Sequence, residues 1–179
     1  AAMRAELTSR TITLSPLENG LAAADISDFS PEALEQYRNI AKICDTVGSR
    51  SFERRLAQQG ILEQVNGHST PTGFGLLLFG KEPRTVMPQA GLLGTIHFAD
   101  GTEEPRDFDG PQVLAPAQAI QWLKDKLPNP IERSAARRRR VNETLFELVR
   151  EGVVNALVHR DYSIEGAKCQ LVVTPDTIL

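Results

Sequence analysis

Apolar positions along this chain change period several times, and each change marks an element. Leu34, Tyr37, Ala41 and Cys44 recur at the three- and four-residue steps of a helix, with Ile40 and Val47 beside them. Ser30-Pro31-Glu32 opens that stretch with a hydroxyl cap, a proline at the first helical position and an acid near the positive helix end. Gly48 offers the left-handed conformation that stops a helix. A shorter helix is expected over residues 51–59, with Gly60 as its stop. Residues 61–65 read as a strand, and Asn66-Gly67 is a tight-turn signal. Thr70-Pro71 reads as another cap and first turn. The run Phe74, Leu76, Leu77, Leu78, Phe79 fits a buried helix or a buried strand by periodicity alone. The flanking Thr70-Pro71 and Gly80 favour helix.

Residues 92–98 are strand-like, Asp100-Gly101 marks the following turn, and residues 102–110 are acidic and expected to be exposed. Residues 116–127 predict a helix carrying the only tryptophan, Trp122. Leu127-Pro128-Asn129-Pro130 then breaks the chain, because proline cannot continue a helix and biases the residue before it. A domain boundary or hinge is expected between Leu127 and Arg140. At the front, residues 1–29 form a weakly patterned leader in which Thr11-Ile12-Thr13-Leu14 alternates like a short strand. The pattern therefore predicts an α+β protein of mixed helices and short strands. Its parts are a leader (1–29), a helix and strand interdomain region (30–130) and the opening of a further module (131–179).

The most informative segment is a long helix expected over residues 142–160. On a helical wheel Leu145, Leu148, Val149, Gly152, Val153, Ala156 and Leu157 form one broad apolar face. Val154 and Val158 lie outside it, so the second half of the helix is apolar nearly all round and is expected to be buried. Asn155 stands in its middle, where a buried amide needs a partner. Glu151 lies one turn before it and His159 one turn after, so the three side chains share one stripe. A carboxylate, an amide and an imidazole so placed can hold a metal-bound phosphate and a water. The amide oxygen is then a hard ligand for Mg²⁺, and the carboxylate orients or deprotonates the attacking water. The alternative is that Glu151 is solvated, Asn155 bonds a neighbouring backbone group and His159 answers the helix dipole.

Charge adds one feature. The 179 residues carry 20 Lys and Arg against 23 Asp and Glu, a net charge of -3, which argues against a chain coated in nucleic acid. Arg133 and the consecutive Arg137, Arg138, Arg139 and Arg140 nevertheless form a local basic cluster that can bind phosphates, DNA included; the alternative is a solvated turn before a helix. Cys44 and Cys169 cannot build a disulfide framework, which points to a reducing, cytoplasmic setting with both as small core residues. No apolar run approaches a membrane span. There is no Gly-Lys-Ser/Thr phosphate loop and no zinc-like Cys/His spacing, and His68 and His97 are isolated.

The stretch Glu-Gly-Val-Val-Asn-Ala-Leu-Val-His-Arg-Asp-Tyr, residues 151–162, closely resembles a signature of bacterial RecG-related transcriptional regulators. Arg150-Glu151, Asn155-Ala156 and His159-Arg160-Asp161-Tyr162 stand at its positions. Residues 72–83, Thr-Gly-Phe-Gly-Leu-Leu-Leu-Phe-Gly-Lys-Glu-Pro, are similar to a second region of the same proteins. The resemblance covers residues 29–179. It implies a C-terminal ATP-binding module of the GHKL type (gyrase, Hsp90, histidine kinase, MutL), a Bergerat-type α/β sandwich of which this chain holds the first helix and hairpin. It implies Glu151 as the water-activating base, Asn155 as the Mg²⁺ ligand and His159 as a further nucleotide-site residue, with ATP and Mg²⁺ as cofactors and ATP hydrolysis as the activity of the whole module. Catalysis by these 179 residues alone is the least expected reading, and the missing phosphate loop argues against helicase action despite the RecG-related resemblance. Arg160 and Asp161 are expected to cap the helix end or pair with each other.

Residues 168–174 then read as a strand, Pro175-Asp176 as a turn and residues 177–179 as the start of the next strand. The adenine-reading loop and glycine-rich lid of GHKL proteins have no match, so the chain reads as a fragment expected to bind ATP poorly by itself. Schlafen AlbA-type N-termini, usual in these regulators, have no convincing match either. Residues 30–79 have the look of a partial winged helix. The competing expectations are a DNA-binding module and a homodimerising segment without nucleotide.

Overall fold

The computed structural model describes residues 17–179 apart from 22, 66, 128–134 and 165, and for residues 135–143 it describes the backbone alone. The strand expected at Thr11 to Leu14 lies outside the described residues. Helix α1, Pro31–Ile40, starts as expected, with Ser30 Oγ accepting the Ala33 N–H. It ends well before Gly48. Lys42 takes the left-handed position at φ 52°, its N–H reaches Asn39 O (3.3 Å), and the Ile43 N–H reaches Arg38 O (2.9 Å). This is a Schellman-type stop sealed by buried Ile43, with lysine where glycine is usual. Cys44, expected in the core, is consequently exposed, whereas Cys169 is buried.

Helix α2, Arg50–Gln58, is capped by Ser49 and stops before Gly60 at φ 71°. Strands β1, Leu62–Val65, and β2, His68–Pro71, pair antiparallel with Val65 opposite His68, as the Asn66-Gly67 signal predicts. Thr70 and Pro71 are therefore hairpin residues, not a helix start. Helix α3, Gly73–Phe79, begins two residues later with Thr72 as its cap; Thr72 Oγ1 accepts the Gly75 N–H (3.0 Å) and donates to Gly60 O (2.7 Å). Both threonines qualify locally, and the ladder decides, since Thr70 is committed opposite Glu63. Gly75 lets α3 lie directly on the chain, because a Cβ there would come 2.2 Å from Ile61 O.

A second sheet has the order β4–β3–β5: β3, Leu92–His97, runs antiparallel to β4, Glu103–Phe108, and parallel to β5, Cys169–Val173. The acidic stretch is thus a strand, largely exposed but with Phe108 buried in the core. Its Pro105 and its charges hide the alternation, and both are tolerated because β4 is an edge. After β5 the chain turns, and Val173 bridges Ile178, as expected.

Helix α4, Ala115–Lys126, and helix α5, Ala135–Val158, lie beside each other on this sheet. Their shared core unites Leu92, Ile96, Trp122, Val153, Leu157 and Leu171 with their neighbours, and so draws on residues from both sides of position 130. The start of α5 at Ala135 is earlier than the expected residue 142. A separate cluster under α1, α2, α3 and β1 includes Phe29, Phe52, Leu56, Leu76 and Phe79. Among the described residues no helix is long and apolar enough to cross a membrane.

Candidate functional site

Helix α5 meets the sheet along one stripe: Val149, Val153 and Leu157, four residues apart, are buried. The expectation that its second half is buried all round is therefore corrected. Gly152, Asn155, Ala156 and Val158 are exposed, and Val154 is only partly covered. The reason is architectural. The sheet lies under one side of α5 and α4 covers a flank, so one stripe suffices for burial and the rest faces outward.

Glu151, Asn155 and His159 lie on that outward side, about 160–200° around the helix from Val153 for the first two. All three are exposed, and among the described residues no hydrogen bond or ion pair engages their side chains. Asn155 needs no buried partner; its backbone O accepts the His159 N–H (3.0 Å), extending the helical ladder past Val158. The three residues share the expected stripe, open to solvent. No group of three His, Cys, Asp or Glu side chains that could hold a metal ion occurs among the described residues. One amide and one carboxylate oxygen are hard donors suited to Mg²⁺, with the remaining positions left to phosphate oxygens and water.

Beside this stripe an apolar groove of about 890 Å³ opens between α5 and the sheet. Leu145, Leu148, Gly152 and Ala156 form its helix wall, and Phe98 and Ile178 lie opposite. These helix residues belong to the apolar face read from the sequence, but they are left open instead of packed. Leu148 is 66% exposed.

The residues after α5 build a brace. Arg160 donates through Nη2 to Ile164 O (3.2 Å) and to Ala167 O, and its guanidinium lies 5.7 Å from the centre of the Tyr162 ring. Asp161 Oδ1 accepts from the Ser163 hydroxyl (2.6 Å) and Ser163 N–H (2.9 Å). Those bonds hold its carboxyl below the ordinary value. Arg160 and Asp161 thus shape the loop, where the sequence suggested a helix cap or a mutual pair. Tyr162 turns inward, its hydroxyl 2.8 Å from both Leu157 O and Gln112 Oε1. Sequence reasoning missed this contact, because its partners Gln89 and Gln112 are 73 and 50 residues away and carry no local signal. The side chains of Arg137, Arg138, Arg139 and Arg140 lie outside what the structure describes; their backbone is the opening of α5.

No family model matches this chain, and no curated protein matches it. Its fold is similar to the crystal structure of the DIP2311 protein from Corynebacterium diphtheriae, with a TM-score of 0.54 at 19% identity. The likeness covers 88% of this chain and 25% of that one, so this chain spans about a quarter of that protein's length.

Proposed function

We propose that this chain is part of a cytoplasmic bacterial RecG-related transcriptional regulator and contributes the first helix and hairpin of a GHKL-like module that binds ATP·Mg²⁺. The observation that carries the reading is the open stripe of Glu151 and Asn155 on α5 and His159 just past its end, beside an apolar groove at the sheet. The stripe is open to solvent, so a nucleotide phosphate and its metal can reach all three side chains. Asn155 would hold the metal through its amide oxygen, and Glu151 would orient the attacking water. Bound Mg²⁺ would offset phosphate charge. Titration of the full-length protein with ATP in the presence and absence of Mg²⁺ tests this. Mg²⁺-dependent binding lost in Asn155→Ala is expected, and absence of binding in the unmodified protein would refute it.

A second reading, DNA binding, has its own observation. Helix α2 is followed directly by the β1–β2 hairpin, the order of a reading helix and wing, and Arg50 and Arg54 are exposed one turn apart on α2. With Arg137, Arg138, Arg139 and Arg140 as phosphate contacts, neutralising them should shallow the salt dependence of DNA binding. An unchanged slope excludes that role. Light scattering decides whether the protein self-associates as a homodimer.

A further inference from the structure

Tyr162 carries the signature stretch onto residues between 77 and 112. Its ring packs against the cluster of Leu77, Met87 and Ala90. Its carbonyl accepts from Gln89 Nε2, and its hydroxyl lies between Leu157 O and Gln112 Oε1. Gln112 is tied to α3, its N–H donating to Leu77 O (3.2 Å), and both glutamines are buried. Leu157 O belongs to the last turn of α5, whose carbonyls lack partners within the helix.

The hydroxyl has one proton and two acceptors at equal distance, so it serves one at a time. With Gln112 Oε1 toward the tyrosine, Gln112 Nε2 is buried without a partner. Rotating the amide makes a continuous chain: Gln112 Nε2–H donates to the Tyr162 oxygen, and Tyr162 O–H donates to Leu157 O. Neither end of that chain can shift without breaking it, and the Gln89 bond adds a second tie, to the Tyr162 carbonyl.

We propose that Tyr162 is a latch that makes the C-terminal end of α5 and the segment at buried Gln112 open and close as one unit, so that a ligand held on the Glu151, Asn155 and His159 stripe is sensed at residues 112–114. The ligand clause rests on the nucleotide reading; the latch clause does not. Amide hydrogen exchange on the full-length protein separates them. Without ligand, Tyr162→Phe should speed exchange in residues 157–164 and 112–114 together, by about two- to tenfold, the range for loss of one net hydrogen bond. Gln112→Leu should do the same. Acceleration in one of the two segments alone overturns the latch.

With Mg·ATP, the unmodified protein should gain protection in both segments. Tyr162→Phe should still bind but confine protection to α5. Protection of 112–114 that persists in the phenylalanine variant overturns the relay. An unmodified protein that binds no Mg·ATP overturns the nucleotide reading instead, and the ligand-free comparison still decides the latch.

Discussion

Gly94 of β3 lies directly under the indole of Trp122: a Cβ at position 94 would stand 2.5 Å from Trp122 Cζ3 and 3.2 Å from Phe108 Cε2. Trp122 and Phe108 meet edge-on with ring centres 5.7 Å apart, so neither ring is free to retreat. A glycine in a central strand is thus chosen by what α4 places on it. Gly94→Ala should overpack the core at a cost of about 1–3 kcal/mol. A lower urea midpoint at unchanged slope is the expected result; an unchanged midpoint would show that the indole moves freely.

Two leucines of α5, nine residues apart, should behave oppositely. Leu157 is buried on the sheet, and Leu148 projects at 66% exposure. Leu157→Ala should cost about 2–5 kcal/mol. Leu148→Ala should stay within about 0.5 kcal/mol. Equilibrium unfolding of both variants checks this, and a large loss at Leu148 would mean that the groove face is covered in solution.

Acid should weaken the junction around Asp109. Its carboxylate lies 2.5 Å from Lys168 Nζ and 2.8 Å from Arg84 Nη1. Burial pushes its pKa up, but the hydrogen bonds and charges of Lys168 and Arg84 outweigh that and hold it below the ordinary 3.8. A carboxyl depressed in the folded state contributes stability above its unfolded value and loses it as pH falls through the folded one. Asp109→Asn should therefore be less stable than the unmodified protein at pH 7, with the gap closing below pH 3.8. Denaturation midpoints across that range are the measurement; a gap independent of pH would assign the loss to packing.

Alkali should act on Tyr162 with the opposite sign. Burial raises its phenol above the ordinary 10.0, more than the Gln112 contact lowers it. Its contribution is complete below pH 10.0 and declines as pH rises through the folded value. The stability difference between the unmodified protein and Tyr162→Phe should then shrink above pH 10.0. A difference that stays constant would place the phenol in water.

Much of the local structure was determined by the sequence alone. Ser30-Pro31, Gly60 and Asp100-Gly101 mark a helix start, a helix stop and a turn that the structure keeps, and β1 and β2 pair around the Asn66-Gly67 signal, whereas the stop expected at Gly48 is pre-empted by Lys42. The α+β class followed from those elements, as did the single stripe of Glu151, Asn155 and His159, which needs only the pitch of a helix. Tertiary structure decided the rest. The ladder chose Thr72 over Thr70 as a cap, and the edge position made a strand of a charged stretch containing Pro105. The sheet buried one stripe of α5 and left the remaining apolar face open beside Asn155. Tyr162 found partners 50 and 73 residues away. Periodicity states which side of a helix is apolar, but burial depends on what another part of the chain places against it. That is why an asparagine read as a buried oddity stands in the open, where a ligand can reach it.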